Sequence, residues 1–380
     1  MRGQGVVAGD HIVIPCEERE RREGAADSHA PWRAAYGRLG KYRFVGASAI
    51  GKWHRHEGRP RDDAFAVHAA GVWLAVAVSD GVSSRLSSRY GASFAVQTLC
   101  ERLLQEALGI FSQEPPQTDV SSPLEEEPAQ EESPSCPLCG STTSRALSKT
   151  EEPKTEEPVP LLSCADTLPI KEQANAWSTW SVYDLSLVRS VSEGMATEAS
   201  QPSSVSEEAV RRAFRHTRGD LQQFADKHGF SLQDLHCTLL GLVLNTETGA
   251  FAVGQIGDGV IAALHPDHGA RRLVEAPMPP EAGQTYVLTQ SQWETYLDVK
   301  AYPSEEAEGW TTFYLMTDGV ADDCIYPPPE GIFERWARDM DREVRKEGLP
   351  QTACRLLHWL ATYERRGSWD DRTLVVVFRE

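Results

Sequence analysis

The chain has 380 residues, 40% of them hydrophobic and 25% charged, with a formal net charge of −18. That is an ordinary globular composition, enough for one large domain or two small ones with a sizeable core. The acidic balance argues against a protein that coats phosphate backbones, because counterion release needs clustered Lys and Arg, so nucleic acid is not an expected partner.

No apolar run approaches membrane-spanning length, and the N-terminal MRGQGVVAGDHIVIPC lacks a long hydrophobic core followed by a small-residue cleavage site. The expectation is a soluble, cytoplasmic protein with no membrane contact. The 8 cysteines are scattered, and Cys100, Cys237 and Cys354 lie in apolar periodic segments, where a reduced thiol packs as a small hydrophobe. A disulfide framework is not expected.

Residues 1–39 hold one charge cluster, Glu17 to Glu23, and little apolar periodicity, which predicts a loosely docked arm. Tyr42 to Ala49 and Asp63 to Ala69 are short and strand-like, with a polar loop GKWHRHEGRPRDD between them, and a β-meander running into the next strand is the simplest arrangement. That next strand opens the stretch Val72 to Ser84, VWLAVAVSDGVSS, an apolar run suited to burial on both faces that stops at Asp80-Gly81. Tyr90, Phe94, Leu99, Leu103, Leu104 and Leu108 then recur at helical spacing, predicting an amphipathic helix that covers a sheet and ends near Gly109.

From 111 to 205 the chain turns to Pro, Ser, Thr and Glu, an acidic low-complexity insertion too polar to bury a core. Within it Cys136 and Cys139 have the form of half a zinc knuckle, but a tetrahedral site needs four ligands and Cys164 is the only near candidate. Trp177 to Leu187 is an aromatic-containing piece able either to dock back on the domain or to bind a partner. Order returns at Ser206 with a capped helix through Val210, Phe214, Leu221 and Phe224, with a break possible at Gly219. Asp234 to Leu244 and Ala250 to Ile256 predict a hairpin, and Val260 to Leu264 and Arg271 to Val274 further strands. Phe313 to Gly319, FYLMTDG, repeats the strand-then-Asp-Gly pattern. Glu330 to Arg345 and Thr352 to Tyr363 have helical spacing, and Thr373 to Phe378 is a closing strand. Strands in runs with helices between them predict an α+β chain of packed antiparallel sheets with helices outside.

Apolar strands ending in acidic turns at Asp80, Asp258 and Asp318 suggest convergence on one site, with Asp62-Asp63 and Asp370-Asp371 at two further strand starts. Carboxylates are the hard oxygen donors that Mg2+ and Mn2+ prefer. There is no HExxH, no Walker loop and no GxSxG elbow, so metalloproteases, P-loop hydrolases and esterases have no support. Each Asp-Gly alone is ordinary turn chemistry; their number and placement favour a metal-carboxylate site.

The motifs, taken in order, resemble those of the metal-dependent serine/threonine phosphatases, the type 2C protein phosphatases, and especially their bacterial branch. Asp62-Asp63-Ala64, Val78-Ser79-Asp80-Gly81-Val82, the small-residue start Ser87 to Ala92, His236-Cys237-Thr238, Gly257-Asp258-Gly259, Thr317-Asp318-Gly319 and Asp370-Asp371-Arg372-Thr373 carry the resemblance over residues 40–110 and 206–380. It implies a four-layer α-β-β-α sandwich and a signalling enzyme that hydrolyses phosphoserine and phosphothreonine in proteins. The implied nucleophile is a water bridging two Mn2+ or Mg2+ ions, with Asp63 and Asp80 bridging the ions, helped by the Gly81 carbonyl, Asp318 and Asp370 holding one from the other side, and Asp258 with Asp318 associated with a third. Thr238 would orient the neighbouring site, and the implied partners are a phosphorylated protein substrate and a cognate serine/threonine kinase. Val82 stands where the family's animal members carry a His general acid, which makes His56 the nearest substitute, and Arg59, with Arg61 close by, is the candidate for the phosphate-binding Arg. Alignment on Thr373 favours Asp370 over Asp371 as a ligand. The alternatives are a non-catalytic binding module that recruits partners through its acidic insertion, which turnover would distinguish, and a hydrolase of small phosphorylated molecules.

Overall fold

Strands that read as unbroken apolar runs should be buried on both faces, and the computed structural model places them so. It describes residues 29–110, 182–184, 203–281, 283–325, 331–365 and 368–380. The expectations for residues 1–28, for Cys136, Cys139 and Cys164 and for nearly all of the 111–202 stretch lie outside the described residues.

Two sheets stack face to face. The first has the order β10-β7-β6-β4-β3, built from β3 (Ala64–Ala70), β4 (Trp73–Ser79), β6 (Leu239–Asn245), β7 (Phe251–Ile256) and β10 (Asp298–Tyr302). The second has the order β5-β1-β2-β12-β11-β8-β9, from β1 (Trp32–Leu39), β2 (Tyr42–Ala49), β5 (Val182–Asp184), β8 (Val260–His265), β9 (Gly269–Arg272), β11 (Thr312–Met316) and β12 (Arg372–Arg379). All pairings are antiparallel except that of β5 with β1 at the edge, which is parallel. Helices α2 (Ser88–Ala107) and α3 (Glu207–His228) cover the first sheet, and the helices Ile332–Val344 and Leu349–Thr362 cover the second. The architecture is the α+β, α-β-β-α sandwich.

The packing follows from residue shape. Leu99, Cys100 and Leu103 on α2 are buried against β3, β4 and β6, and Leu99 fits because residue 241 is Gly: a Cβ there would lie 2.7 Å from the Leu99 Cδ2 atom. Phe44, Phe65, Phe313, Val375 and Val377 fill the space between the sheets, while Trp336, Met340, Leu356 and Leu357 pack on the outer face of the second sheet. Each such side chain removed from water contributes roughly 1.5–3 kcal/mol. Ser206 caps α3 by accepting from the Ala209 amide, and Gly229 closes it at positive φ. No described helix is long and apolar enough to cross a membrane.

Several expectations change. The meander from Tyr42 into the central strand does not form: β2 belongs to the second sheet and β3 to the first, because the intervening segment crosses between layers. The segment expected as a polar loop contains the helix α1 (Lys52–Glu57), closed by Gly58 at φ 66°. Trp32–Leu39, expected within a loosely docked arm, pairs along its whole length with β2, and Ala34 and Ala35 are fully buried. Helix α3 runs through Gly219 without interruption, since that position faces open space and tolerates the missing side chain. Residues 182–184 of the Trp177–Leu187 piece lie beside β1, so that part docks on the domain.

Candidate metal centre

The acidic turns meet at one end of the sandwich. Asp80 follows β4 where the chain leaves the sheet, and its backbone is clamped to the segment preceding β6. The Asp80 amide donates to Thr238 Oγ1 at 2.9 Å, and the Thr238 amide donates to the Asp80 carbonyl at 2.9 Å. Gly81 continues this as an isolated bridge to Cys237. Asp258 sits in the β7–β8 turn, which Gln255 braces by donating from Nε2 to the carbonyls of Gly257 and Gly259 at 3.1 and 2.6 Å. Gly257 has φ 108°, a conformation that suits only glycine. Asp318 opens the short helix Asp318–Cys324 directly after β11. One carboxylate oxygen from each of Asp80, Asp258 and Asp318 lies within 4.8 Å of the others.

Asp63 and Asp370 reach the same place from the two ends of the described domain. Asp63 precedes β3 and is fully buried; its Oδ2 accepts from Thr317 Oγ1 at 2.9 Å and from Thr373 Oγ1 at 2.6 Å, while its Oδ1 is buried without a hydrogen-bond partner. Asp370 lies at the entry to β12 and accepts the Asp371 amide on Oδ1 at 2.8 Å. A Cβ at Gly319 would lie 2.0 Å from the Asp371 carbonyl oxygen, so the glycine after Asp318 is what lets the 318 and 370 segments touch.

The carboxylates of the cluster raise one another. Burial raises the Asp80 carboxyl well above its ordinary range, and the charges of Asp318, Asp63, Asp370 and Asp258 add to it. Asp318 is raised in the same way, by burial and then by Asp258, Asp370, Asp63 and Asp322. Burial, then Asp371, pushes Asp63 up to about 7 against the hydroxyls of Thr373 and Thr317. Burial likewise raises Asp258 and Asp370. Five carboxylates facing one another, with Asp63 Oδ1 and Asp258 Oδ1 both buried and unpartnered, are strongly unfavourable when all are ionised. A hard divalent cation with oxygen ligands is the counter-charge that such a donor set fits.

Beside the cluster sits a second buried group. Asp371 is 1% exposed and both of its oxygens are engaged: Oδ1 accepts the Gly51 amide at 2.7 Å, and Oδ2 accepts the Asp62 amide at 2.6 Å and lies 3.0 Å from His54 Nδ1. Asp370, not Asp371, therefore faces the other acids. Asp62 is pushed up to about 7 by burial, against the pull of His54. Burial alone would lower His54, but the Asp371 hydrogen bond and the charges of Asp371, Asp62 and Asp370 outweigh it and raise the imidazole.

The loop candidates separate. His56 is exposed, and on the helix it points about 200° away from the buried His54. Arg59 remains close: it donates to Asp62 Oδ2 at 3.3 Å and its guanidinium lies over the Trp53 ring at 5.5 Å. Arg61 is buried and committed to structure, donating to Ser48 Oγ and to the carbonyls of Asp63 and Ala30. His54 and Gln255 were not singled out from sequence, and Thr317 and Thr373 were named only as motif members, without the role of holding Asp63. Thr317 and Thr373 had a signal, since each lies within three residues of a motif aspartate at a strand end; His54 had none short of knowing that its segment is helical.

A search of curated protein sequences gives no match. Among solved structures, similarity extends to a C. elegans sex determining protein, at 10% identity and TM-score 0.47, covering 90% of this chain and 65% of that one. Others are a serine-threonine phosphatase 2C from Toxoplasma gondii, at 13% identity and TM-score 0.45 over 92% and 99%, and the Mycobacterium tuberculosis serine/threonine phosphatase PstP/Ppp, at 13% and 0.41 over 89% and 99%. The family model described as protein phosphatase 2C matches residues 50–155 and 186–361, well over half of the sequence. On that match the chain belongs to the protein phosphatase 2C family, the metal-dependent protein serine/threonine phosphatases.

Proposed function

We propose that this chain hydrolyses phosphoserine and phosphothreonine in proteins, the product of a serine/threonine kinase, using two Mn2+ or Mg2+ ions held by Asp63, Asp80, Asp318, Asp370 and the Gly81 carbonyl, with Asp258 available to a third. The observation that carries this is the meeting of Asp80, Asp258 and Asp318 within 4.8 Å, although 238 residues separate the first from the last in sequence. Divalent ions bound there supply an acidified water in line with phosphorus and neutralise charge building on the phosphoryl oxygens.

The chain's own groups do the rest. Thr317 and Thr373 fix one oxygen of Asp63 and leave the other for the cation. Thr238 holds the backbone on both sides of the Asp80 turn, which sets where the Gly81 carbonyl points. Arg59, paired with Asp62 and lying over the Trp53 ring, is not committed to the structural carbonyls that hold Arg61, which supports it as the phosphate-binding guanidinium. His56, exposed on helix α1, is kept as the candidate general acid.

Release of phosphate from a phosphothreonine peptide is the test. Turnover is expected with Mn2+, and is lost both in EDTA and in Asp80→Asn. Turnover that survives exhaustive chelation would overturn the proposal, as would a chain that binds Mn2+ yet leaves every phosphopeptide intact.

A further inference from the structure

One buried titratable group near the acids has no part in that scheme. His54 is 1% exposed and stands between two carboxylates, with Nδ1 3.0 Å from Asp371 Oδ2 and Nε2 3.6 Å from Asp62 Oδ2. Asp371 Oδ2 also takes the Asp62 amide, and Oδ1 takes the Gly51 amide. One imidazole and one carboxylate thus tie together helix α1, the approach to β3 and the entry to β12. Asp62 and Asp371 are the immediate chain neighbours of Asp63 and Asp370, and a planar peptide fixes each neighbouring Cα at about 3.8 Å. Holding the first pair therefore holds the second.

The backbone is cut to fit this contact. A Cβ at Gly51 would fall 2.3 Å from the Asp370 carbonyl carbon and 2.5 Å from the Trp369 oxygen, so only glycine lets α1 approach closely enough for His54 to reach Asp371. The Trp53 amide adds a bond to the Trp369 carbonyl at 3.0 Å. Helix α1 is in effect a bracket against which the Asp370 segment is pressed.

We propose that His54 is a positioning residue of the metal centre: by donating from Nδ1 to Asp371 it sets the separation of Asp63 and Asp370, and hence the affinity of the site for divalent ions. This rests on the proposal that Asp63 and Asp370 hold those ions. Groups bonded directly to a ligand change metal affinity by about 10- to 100-fold when removed, which bounds the effect of His54, one residue further out through Asp371.

The test uses the full chain and Mn2+ calorimetry, with melting curves in EDTA to check folding. His54→Phe keeps the breadth of the ring and removes the donor; His54→Asn keeps an N–H near the Nδ1 position. The expected result is Mn2+ binding weakened by up to about 10- to 100-fold in His54→Phe and close to wild type in His54→Asn, with half-maximal Mn2+ for turnover shifting in parallel. Should His54→Phe fail to fold, His54→Gly titrated with imidazole replaces it, and added imidazole must tighten Mn2+ binding. Wild-type affinity in His54→Phe, an equal loss in His54→Asn, or no response to imidazole overturns the proposal. If these appear while Asp80→Asn abolishes binding, the positioning role alone is wrong; if the wild-type chain binds no Mn2+, the metal assignment fails with it.

Discussion

Asp371→Asn is nearly isosteric and separates two effects that share one carboxylate. In the wild-type chain that carboxylate receives three donors, the Gly51 amide at 2.7 Å, the Asp62 amide at 2.6 Å and His54 Nδ1 at 3.0 Å. An asparagine offers one oxygen and one NH2. If its oxygen faces Asp62 and His54, its NH2 meets the Gly51 N–H donor to donor; if flipped, two donors are stranded. At least one buried N–H loses its acceptor, which costs about 1–3 kcal/mol. Against this, the substitution removes a charge that raises Asp63, Asp62 and Asp370. That relief matters only where those acids are ionised. The variant's deficit, read as melting temperature in EDTA, should therefore be larger at pH 5.5 than at pH 8, at roughly 2–4 °C per kcal/mol for a domain of this size. A deficit that grows with pH, or no deficit at either pH, would refute the reasoning.

The metal-free protein should itself lose stability as pH rises. Asp62 and Asp63 have pKa values of about 7 in the folded chain against 3.8 for the free residue, so the native state binds more protons than the unfolded state across that window. Each such acid contributes stability that is fully present below about pH 4 and is lost as the pH climbs through 7, at about 1.4 kcal/mol for each pH unit between the two values. Melting temperature in EDTA should fall from pH 5 to pH 8, and saturating Mn2+ should reverse the fall; a rise in EDTA would contradict the assignment. Gly319→Ala should destabilise by at least about 1–3 kcal/mol in urea denaturation, because its methyl meets the Asp371 carbonyl oxygen, which is rigid backbone. Arg59→Ala should raise KM for a phosphopeptide by at least about tenfold, and Arg59→Lys should not restore it, since a point charge lacks the planar fork; unchanged KM in both would remove Arg59 from the site.

The sandwich was legible because its strands are long apolar runs and helices such as Ile332–Val344 carry clear stripes, as at Trp336 and Met340. The motif aspartates were legible for a related reason: each ends or begins a strand, and strand ends in a sandwich gather at the same edge. What the sequence hid depended on partners far along the chain. Trp32–Leu39 shows little periodicity because both its neighbours are strands of the same sheet and its small residues, Ala34 and Ala35, carry the burial. Strand β10 reads DVKAY, with only two buried positions, Val299 and Tyr302, and gives no apolar run. His54 and His56 look alike in a segment rich in charge, and only the helix around them sends one inward and the other to solvent. The Asp370 and Asp371 pair was ordered by alignment on Thr373, while the physical reason, that Asp371 is wholly occupied by α1 and Asp62, could come only from the fold.

Whether these aspartates enclose divalent ions is tested most directly by anomalous diffraction from crystals soaked in Mn2+. Anomalous density is predicted among the carboxylates of Asp63, Asp80, Asp258, Asp318 and Asp370, with a peak within coordination distance of Asp80. A fully soaked crystal with no anomalous peak among those five side chains, or with manganese bound only elsewhere on the surface, would contradict the account.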